Sequence, residues 1–320
     1  MQTSLTFQPP VVSRPVELPA IGCQRAAIAM GVFDGVHLGH QAILRQLTEL
    51  AVQTKASPVA LFFDPHPRTV LFPDRPLPLL TTVPHRERLL GAAGAAFLIR
   101  FPFDSELAAL PPLAFLDRYF LAPGLTVTGF CVGANWHFGC HNAGCTETLA
   151  EWALPHQMVT TAVQPLQRHD SPISSTRIRQ AVATGDLAEA AAMLGRPFSL
   201  FGKVIHGHGV GSAVLQCPTA NLAADNAILP PFGVYVATAQ KDDQRFRGIA
   251  YVGDAPTIRT EGKPQVLVEL HLFDCRHDLY EQEILVEFRQ FLRPSQKFAS
   301  PEALKKQIDC DIKAARSYKL

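Results

Sequence analysis

The stretch from Ala26 to Leu50 limits what this chain can fold into more than any other. It opens with an apolar run of strand length, Ala26 to Met30, and crosses a glycine-broken loop, Gly31 to His40 (GVFDGVHLGH). It ends in HQAILRQLTEL, where Ile43, Leu44, Leu47 and Leu50 recur at helical spacing. Strand, loop and helix in that order bring the loop to the helix's amino end. Unpaired N–H groups and the helix dipole draw anions there, and Gly31, Gly35 and Gly39 let a bulky phosphate ester approach the main chain. A nucleotide site is the expectation. His37 and His40, three residues apart, face the same side if Leu38 and Gly39 begin the helix, and both imidazoles then reach one phosphate. Each can donate to a developing oxyanion or carry full charge among phosphates. A pair of solvated histidines at a helix start is the plainer alternative.

With 320 residues, 47 % of them hydrophobic, the chain can build two ordinary cores. A formal charge of +1 leaves no basic face of the kind nucleic-acid proteins carry, so nucleic acid is not expected as a partner. The seven cysteines, an odd number scattered from Cys23 to Cys310, fit a reducing compartment better than a disulfide framework. Met1 to Ala20 holds prolines and no unbroken apolar core, and no later run reaches spanning length, so a cytoplasmic protein without membrane contact is expected. Association between copies is left open.

Past the first helix, Pro58 to Phe63 reads as a second buried strand. Asp64 and His66 follow its carboxyl end, where open α/β sheets bind ligands, although a proline-fixed turn explains them too. His85 to Leu90 and Pro112 to Leu121 read as helices, Ala96 to Arg100 and Leu125 to Val132 as strands. The alternation predicts a parallel sheet with helices on both faces. His137, Cys140, His141 and Cys145 invite a zinc reading, but ligands crowded into nine residues strain one tetrahedron, and a loop of neutral thiols and imidazoles is preferred. Ser174, Ser175, Thr176 and Arg177 stand ahead of an apolar-periodic stretch. They serve either as a helix cap or as a triphosphate clamp of hydroxyls and guanidinium.

Around Leu194 to Phe198 helices give way to short strands: Gly202 to Ile205, Val234 to Ala239, Arg247 to Val252, Val266 to Phe273 and Ile284 to Phe288. A final helix, Pro301 to Ala315, carries Leu304, Ile308 and Ile312 on one face, which suggests a small β-barrel closed by a helix. Between the first two strands, Gly207, Gly209 and Gly211 can wrap phosphates, and Thr219 and Asn221 offer hard oxygens suited to Mg²⁺. A plain barrel loop is the alternative.

The string G-x-F-D-G-x-H-x-G-H resembles the signature of the nucleotidylyltransferase superfamily. In this full form it resembles the amino-terminal half of the bacterial bifunctional riboflavin kinase/FMN adenylyltransferases, also called FAD synthetases. F-F-D-P-H-P at Phe62 to Pro67, V-G-x-N at Val132 to Asn135 and I-S-S-T-x-x-R from Ile173 are similar to the same family. So are PTAN at Pro218 to Asn221, PPFGVY from Pro230, VELHLFD from Val268 and LRPSQKF from Leu292.

The resemblance implies an α/β, Rossmann-like nucleotidylyltransferase domain over residues 1–185. A riboflavin kinase-like antiparallel β-barrel with a carboxyl-terminal helix is implied over 186–320. It implies riboflavin, FMN and ATP as substrates, FMN and FAD as products, and Mg²⁺ with the ATP. Gly31, Phe33, Asp34, Gly35, Gly39, Ser174, Ser175 and Thr176 would bind nucleotide in the first half, and Gly207, Gly209 and Gly211 in the second. His37, His40 and Arg177 would act in adenylylation, with Asp64, His66 and Asn135 lining the pocket. Thr219 and Asn221 would hold the metal, and Glu269 would be the kinase base.

The chain departs from the pattern at Trp136, at Cys140 to Asn142, around Val210 to Cys217, at Tyr251 to Gly253 and at Glu281. An adenylyltransferase with a weakened kinase half therefore stays an alternative. A flavin-binding module without turnover is another. The FMN phosphate is already ionised and needs no general base, whereas a ribityl hydroxyl does.

Overall fold

The computed structural model describes residues 8–205, 220–223, 227–260, 263–275 and 279–319. Its amino-terminal half holds a six-stranded sheet of β1 (Val11–Val12), β2 (Arg25–Met30), β3 (Ser57–Asp64), β4 (Phe97–Pro102), β5 (Thr126–Gly133) and β6 (Val159–Val163). The spatial order is β1-β4-β3-β2-β5-β6 and every pairing is parallel. The helices are α1 (Leu38–Thr54), α2 (Pro67–Leu71), α3 (Val83–Ala92), α4 (Ser105–Ala108), α5 (Pro112–Phe120) and α6 (Thr146–Ala153).

Strand β2 shows why the sheet is a middle layer. Ala27 and Ala29 pack with Ile43, Leu44 and Leu47 of α1, while Ala26, Ile28 and Met30 pack with Phe115, Leu116, Phe120 and Leu149 of α5 and α6. The period of two thus sends alternate residues into two different cores, the pattern of a parallel strand covered on both faces. Helix α1 carries the chain from β2 to β3 on one side, and β5 later lies along the other side of β2. The loop leaving β2 therefore opens at the point where the strand order reverses, the crevice in which open sheets bind ligands.

A short hairpin, β7 (Gln167–Arg168) and β8 (Ser171–Pro172), leads into α7 (Ser175–Thr184) and α8 (Leu187–Leu194). Beyond lies a closed barrel of β9 (Ser199–Ile205), β10 (Ala220–Leu222), β11 (Gly233–Lys241), β12 (Gln244–Thr260), β13 (Lys263–Leu272) and β14 (Glu283–Pro294). Its order is β10-β13-β12-β11-β14-β9, with antiparallel pairing throughout. Ala220, Leu222, Tyr235, Ala237, Val268 and Leu270 fill the interior. Val234, Val236 and Ile249 pack against Ile308, Ile312 and Ala315 of α9 (Pro301–Ser317). Leu304 is half-buried outside that cluster, so the helix's contact face lies one turn further along than its apolar spacing suggested.

The halves share a core. Ile178 and Val182 of α7 and Leu187 and Met193 of α8 pack in one cluster with Leu80 and the barrel residues Leu200, Val204 and Phe288. Helix α3 meets the barrel as well: Thr82 Oγ1, at its amino cap, donates to the Phe201 carbonyl at 3.1 Å, Arg88 pairs with Glu283 at 3.0 Å, and the His85 ring lies 5.9 Å from that of Phe201.

Candidate active site

His37 is the amino cap of α1, and its Nδ1 accepts the His40 N–H at 3.3 Å. A ring nitrogen that accepts cannot carry the proton, so the neutral tautomer places it on Nε2, leaving that nitrogen a donor. The His37 and His40 rings stack with centroids 3.6 Å apart and 18° between planes, and Phe33 meets His40 edge-on at 5.2 Å. His40 is half-buried, and its Nδ1 is enclosed without a hydrogen-bond partner.

Burial disfavours the imidazolium form of both rings, and for His40 the neighbouring His37 and then Arg86 and Arg196 add to it. His37 is pushed down to about 4, burial outweighing the favourable charge of Asp34, and His40 is driven well below the usual histidine range. Both rings are neutral at physiological pH. Gly39 fits because a Cβ there would lie 3.1 Å from the His37 ring.

The loop is held from behind. Asp34, 1 % exposed, accepts from the Leu80 and Thr81 N–H groups at 3.0 Å each and from Thr81 Oγ1 at 3.0 Å. It also pairs with Arg179 at 2.7 Å and with Arg86 at 3.6 Å. Its carboxylate is thus engaged by protein donors, and Thr81 Oγ1 accepts in turn from the Gly35 N–H at 3.1 Å. Gly35 has φ 85°, and a Cβ there would lie 2.7 Å from Leu80 Cδ1. A Cβ on Gly31 would press on the Phe33 ring at 3.1 Å.

His66, at the carboxyl end of β3, repeats the device of His37. It caps α2, accepting the Arg68 N–H on Nδ1 at 3.1 Å, so Nε2 carries its proton, and burial pushes it down to about 4. Asp64 is half-buried beside it, and Asn135 is exposed past β5.

Ser174 caps α7, accepting from the Arg177 N–H at 3.4 Å, and Ser175 Oγ donates to the Asp34 carbonyl at 2.9 Å, tying the helix to the loop. Thr176 is exposed. The Arg177 guanidinium turns the other way, donating to the Ser171 and Pro172 carbonyls at 2.8 and 2.9 Å and pairing with Glu189 at 3.4 Å. Its fork is occupied by the hairpin; the arginine of this helix that reaches the loop is Arg179.

In the barrel, Asn221 of β10 lies directly opposite Glu269 of β13, which puts both side chains on one face. Asn221 is 3 % exposed and its Oδ1 is enclosed without a partner among the described residues, while Glu269 is half-buried. Gly207, Gly209, Gly211 and Thr219 lie outside the described residues. Among those described, no group of three or more His, Cys, Asp or Glu residues is arranged to hold a metal. Cys145 instead caps α6 with Thr148.

Two family models match the chain: FAD synthetase over residues 22–177 and riboflavin kinase over 194–319. A bifunctional riboflavin kinase/FMN adenylyltransferase of Pseudomonas fluorescens is 36 % identical over 90 % of this chain and 91 % of its own length. The chain belongs to the bifunctional riboflavin kinase/FMN adenylyltransferase family. Members from Bacillus subtilis, 32 % identical over 92 % of both chains, and Escherichia coli K12, 33 % over 94 % of both, are similar along the same span. A solved Streptococcus pneumoniae structure named as a macrolide-efflux protein superposes with a TM-score of 0.81 at 27 % identity, over 98 % of this chain and all of that one. Among the described residues no helix is long and apolar enough to cross a membrane. For this family member, sequence reasoning gave no role to Thr81, Arg86 and Arg196, and it named Arg177 although the I-S-S-T-x-x-R string ends on Arg179; these residues brace the loop.

Proposed function

We infer that the chain makes FMN from riboflavin and FAD from FMN, each with ATP, in two separate sites. The observation that carries the adenylylation half is the stacked His37–His40 pair at the amino end of α1, where the sheet's strand order reverses. There the FMN phosphate attacks the α-phosphorus of ATP and pyrophosphate leaves. Neutral imidazoles donate to the oxygens on which charge builds, and the helix end adds its dipole. His37 Nε2–H and His66 Nε2–H supply donors already oriented by their caps, so little reorganisation is needed as the charge develops. Gly31, Gly35, Gly39, Ser174, Ser175 and Thr176 border the triphosphate, and Asp64 and Asn135 the flavin side. Asp34 acts through the loop it braces.

In the barrel, Glu269 accepts the proton of the ribityl hydroxyl as it attacks the γ-phosphorus of ATP. The enclosed Asn221 Oδ1 is a hard acceptor lacking a donor among the described residues, which suits Mg²⁺, and Thr219, two residues earlier in sequence, would complete the protein ligands. The metal, when bound, supplies charge neutralisation for the triphosphate.

The division at 185/186 is supported by the matched spans, 22–177 and 194–319. A reducing cytoplasmic setting is supported by the free thiols of Cys23, Cys131, Cys140, Cys145 and Cys310, and the +1 charge argues against nucleic acid as a partner. The efflux name of the Streptococcus pneumoniae structure is not carried to this chain, because both matched family models are of flavin enzymes.

The test is product analysis. Riboflavin with ATP should yield FMN and then FAD, and FMN with ATP should yield FAD and pyrophosphate. ATP left intact in both mixtures would refute the inference.

A further inference from the structure

The glycine loop lies in the span matched as FAD synthetase, yet a side chain from the span matched as riboflavin kinase grips it. Arg196 follows the Gly195 turn that ends α8. Its Nη2 donates to the Gly35 carbonyl at 2.7 Å, and its Nη1 donates to the Val36 carbonyl at 3.3 Å and the Leu194 carbonyl at 3.4 Å. The backbone it grips is unusual: Phe33, Gly35 and Val36 have φ of 53°, 85° and 39°. A β-branched residue at positive φ persists only where its surroundings impose it.

A second contact reinforces the first. Gln41 Nε2 donates to the Val36 and Leu194 carbonyls at 2.9 Å each, so one amide joins the loop to the end of α8. Gly195, with φ 71°, lies so close to α1 that a Cβ there would stand 2.6 Å from Leu38 Cδ2. The turn is thus pressed against the residue after His37. Burial lowers Arg196 only to about 10, so it stays charged at neutral pH.

We propose that Arg196 is a positioning residue for adenylyl transfer. By holding the Gly35 and Val36 carbonyls it fixes the direction of the His37 ring, so the segment entering the barrel completes the site in the other half. A planar fork spans two carbonyls where a lysine amine reaches one. The proposal rests on the reading of Gly31 to His40 as the adenylylation site.

Full-length Arg196→Ala should be assayed for both reactions. Misorientation without loss of any reacting group should lower kcat for FAD formation on the order of 30-fold and leave riboflavin phosphorylation within about twofold. Added guanidinium ion should restore part of the lost rate. FAD formation within about twofold of the unsubstituted chain would overturn the proposal. So would parallel losses in both reactions with a lowered melting temperature and no guanidinium rescue. If Arg196→Ala does not fold, Arg196→Lys is read the same way: a loss confined to FAD formation supports the proposal, and equal losses or none overturn it. An unsubstituted chain that makes no FAD from FMN and ATP refutes the site reading itself, a result distinct from either.

Discussion

Arg179, in the second turn of α7, forms a 2.7 Å ion pair with Asp34 in the loop after β2, and Arg86 of α3 stands 3.6 Å from the same carboxylate. Asp34 and Arg86 are each 1 % exposed and Arg179 is 11 % exposed. One buried anion thus holds together two cations and three elements. Asp34→Ala should destabilise the chain by about 3–5 kcal/mol, because it leaves two guanidinium groups facing each other without their counter-charge. Denaturant unfolding measures this. A change below about 1 kcal/mol would show the brace to be dispensable.

His37 has two separable jobs, capping α1 through Nδ1 and presenting Nε2–H. Asn in its place retains a capping oxygen and loses that donor. His37→Asn should keep the melting temperature but lower FAD formation on the order of 100-fold. His37→Ala should show the same rate loss with about 1 kcal/mol of stability removed as well. Equal rates in His37→Asn and the unsubstituted chain would remove His37 from the chemistry.

Folded His37 and His66 take up protons only near pH 4, whereas the unfolded chain does so near 6.5. The unfolded state therefore binds more protons between those values. Stability contributed by these rings is full above about pH 6.5 and declines as pH falls towards 4. Ring NMR signals of both residues should stay at neutral positions down to about pH 5. A titration midpoint near 6.5 for either would contradict the burial argument.

Glu269→Gln should lower riboflavin phosphorylation by about 10²–10⁴-fold while FAD formation from supplied FMN continues, since only the hydroxyl nucleophile needs a base. Asn221→Ala should raise the Mg²⁺ concentration at which phosphorylation is half-maximal, and chelation should stop it in both forms. An unchanged Mg²⁺ dependence would place the metal elsewhere.

The layered sheet and five of the six barrel strands were legible because their strands are apolar or β-branched runs; β10, three residues long, was read as part of the glycine loop. β1 has two residues and β6 (VTTAV) is a half-exposed edge, so neither carries enough apolar signal to be read. In the site, the histidine pair was legible because glycine, helix start and three-residue spacing are all local. The arginines were not. Arg177 and Arg179 stand two apart on a helix and so point to different sides; the I-S-S-T-x-x-R string ends on Arg179, but its partner Asp34, 145 residues away, is not visible in the sequence. Arg196 is hidden for the same reason, its acceptors lying 160 and 161 residues earlier.

Thr82, His85 and Arg88 all reach the barrel, and they do so from the helix whose Arg86 also braces the loop behind the histidines. Three contacts along this seam oppose rotation of the barrel about the Gly195 turn, so the helix that braces the histidine loop is also the one that ties the barrel in place.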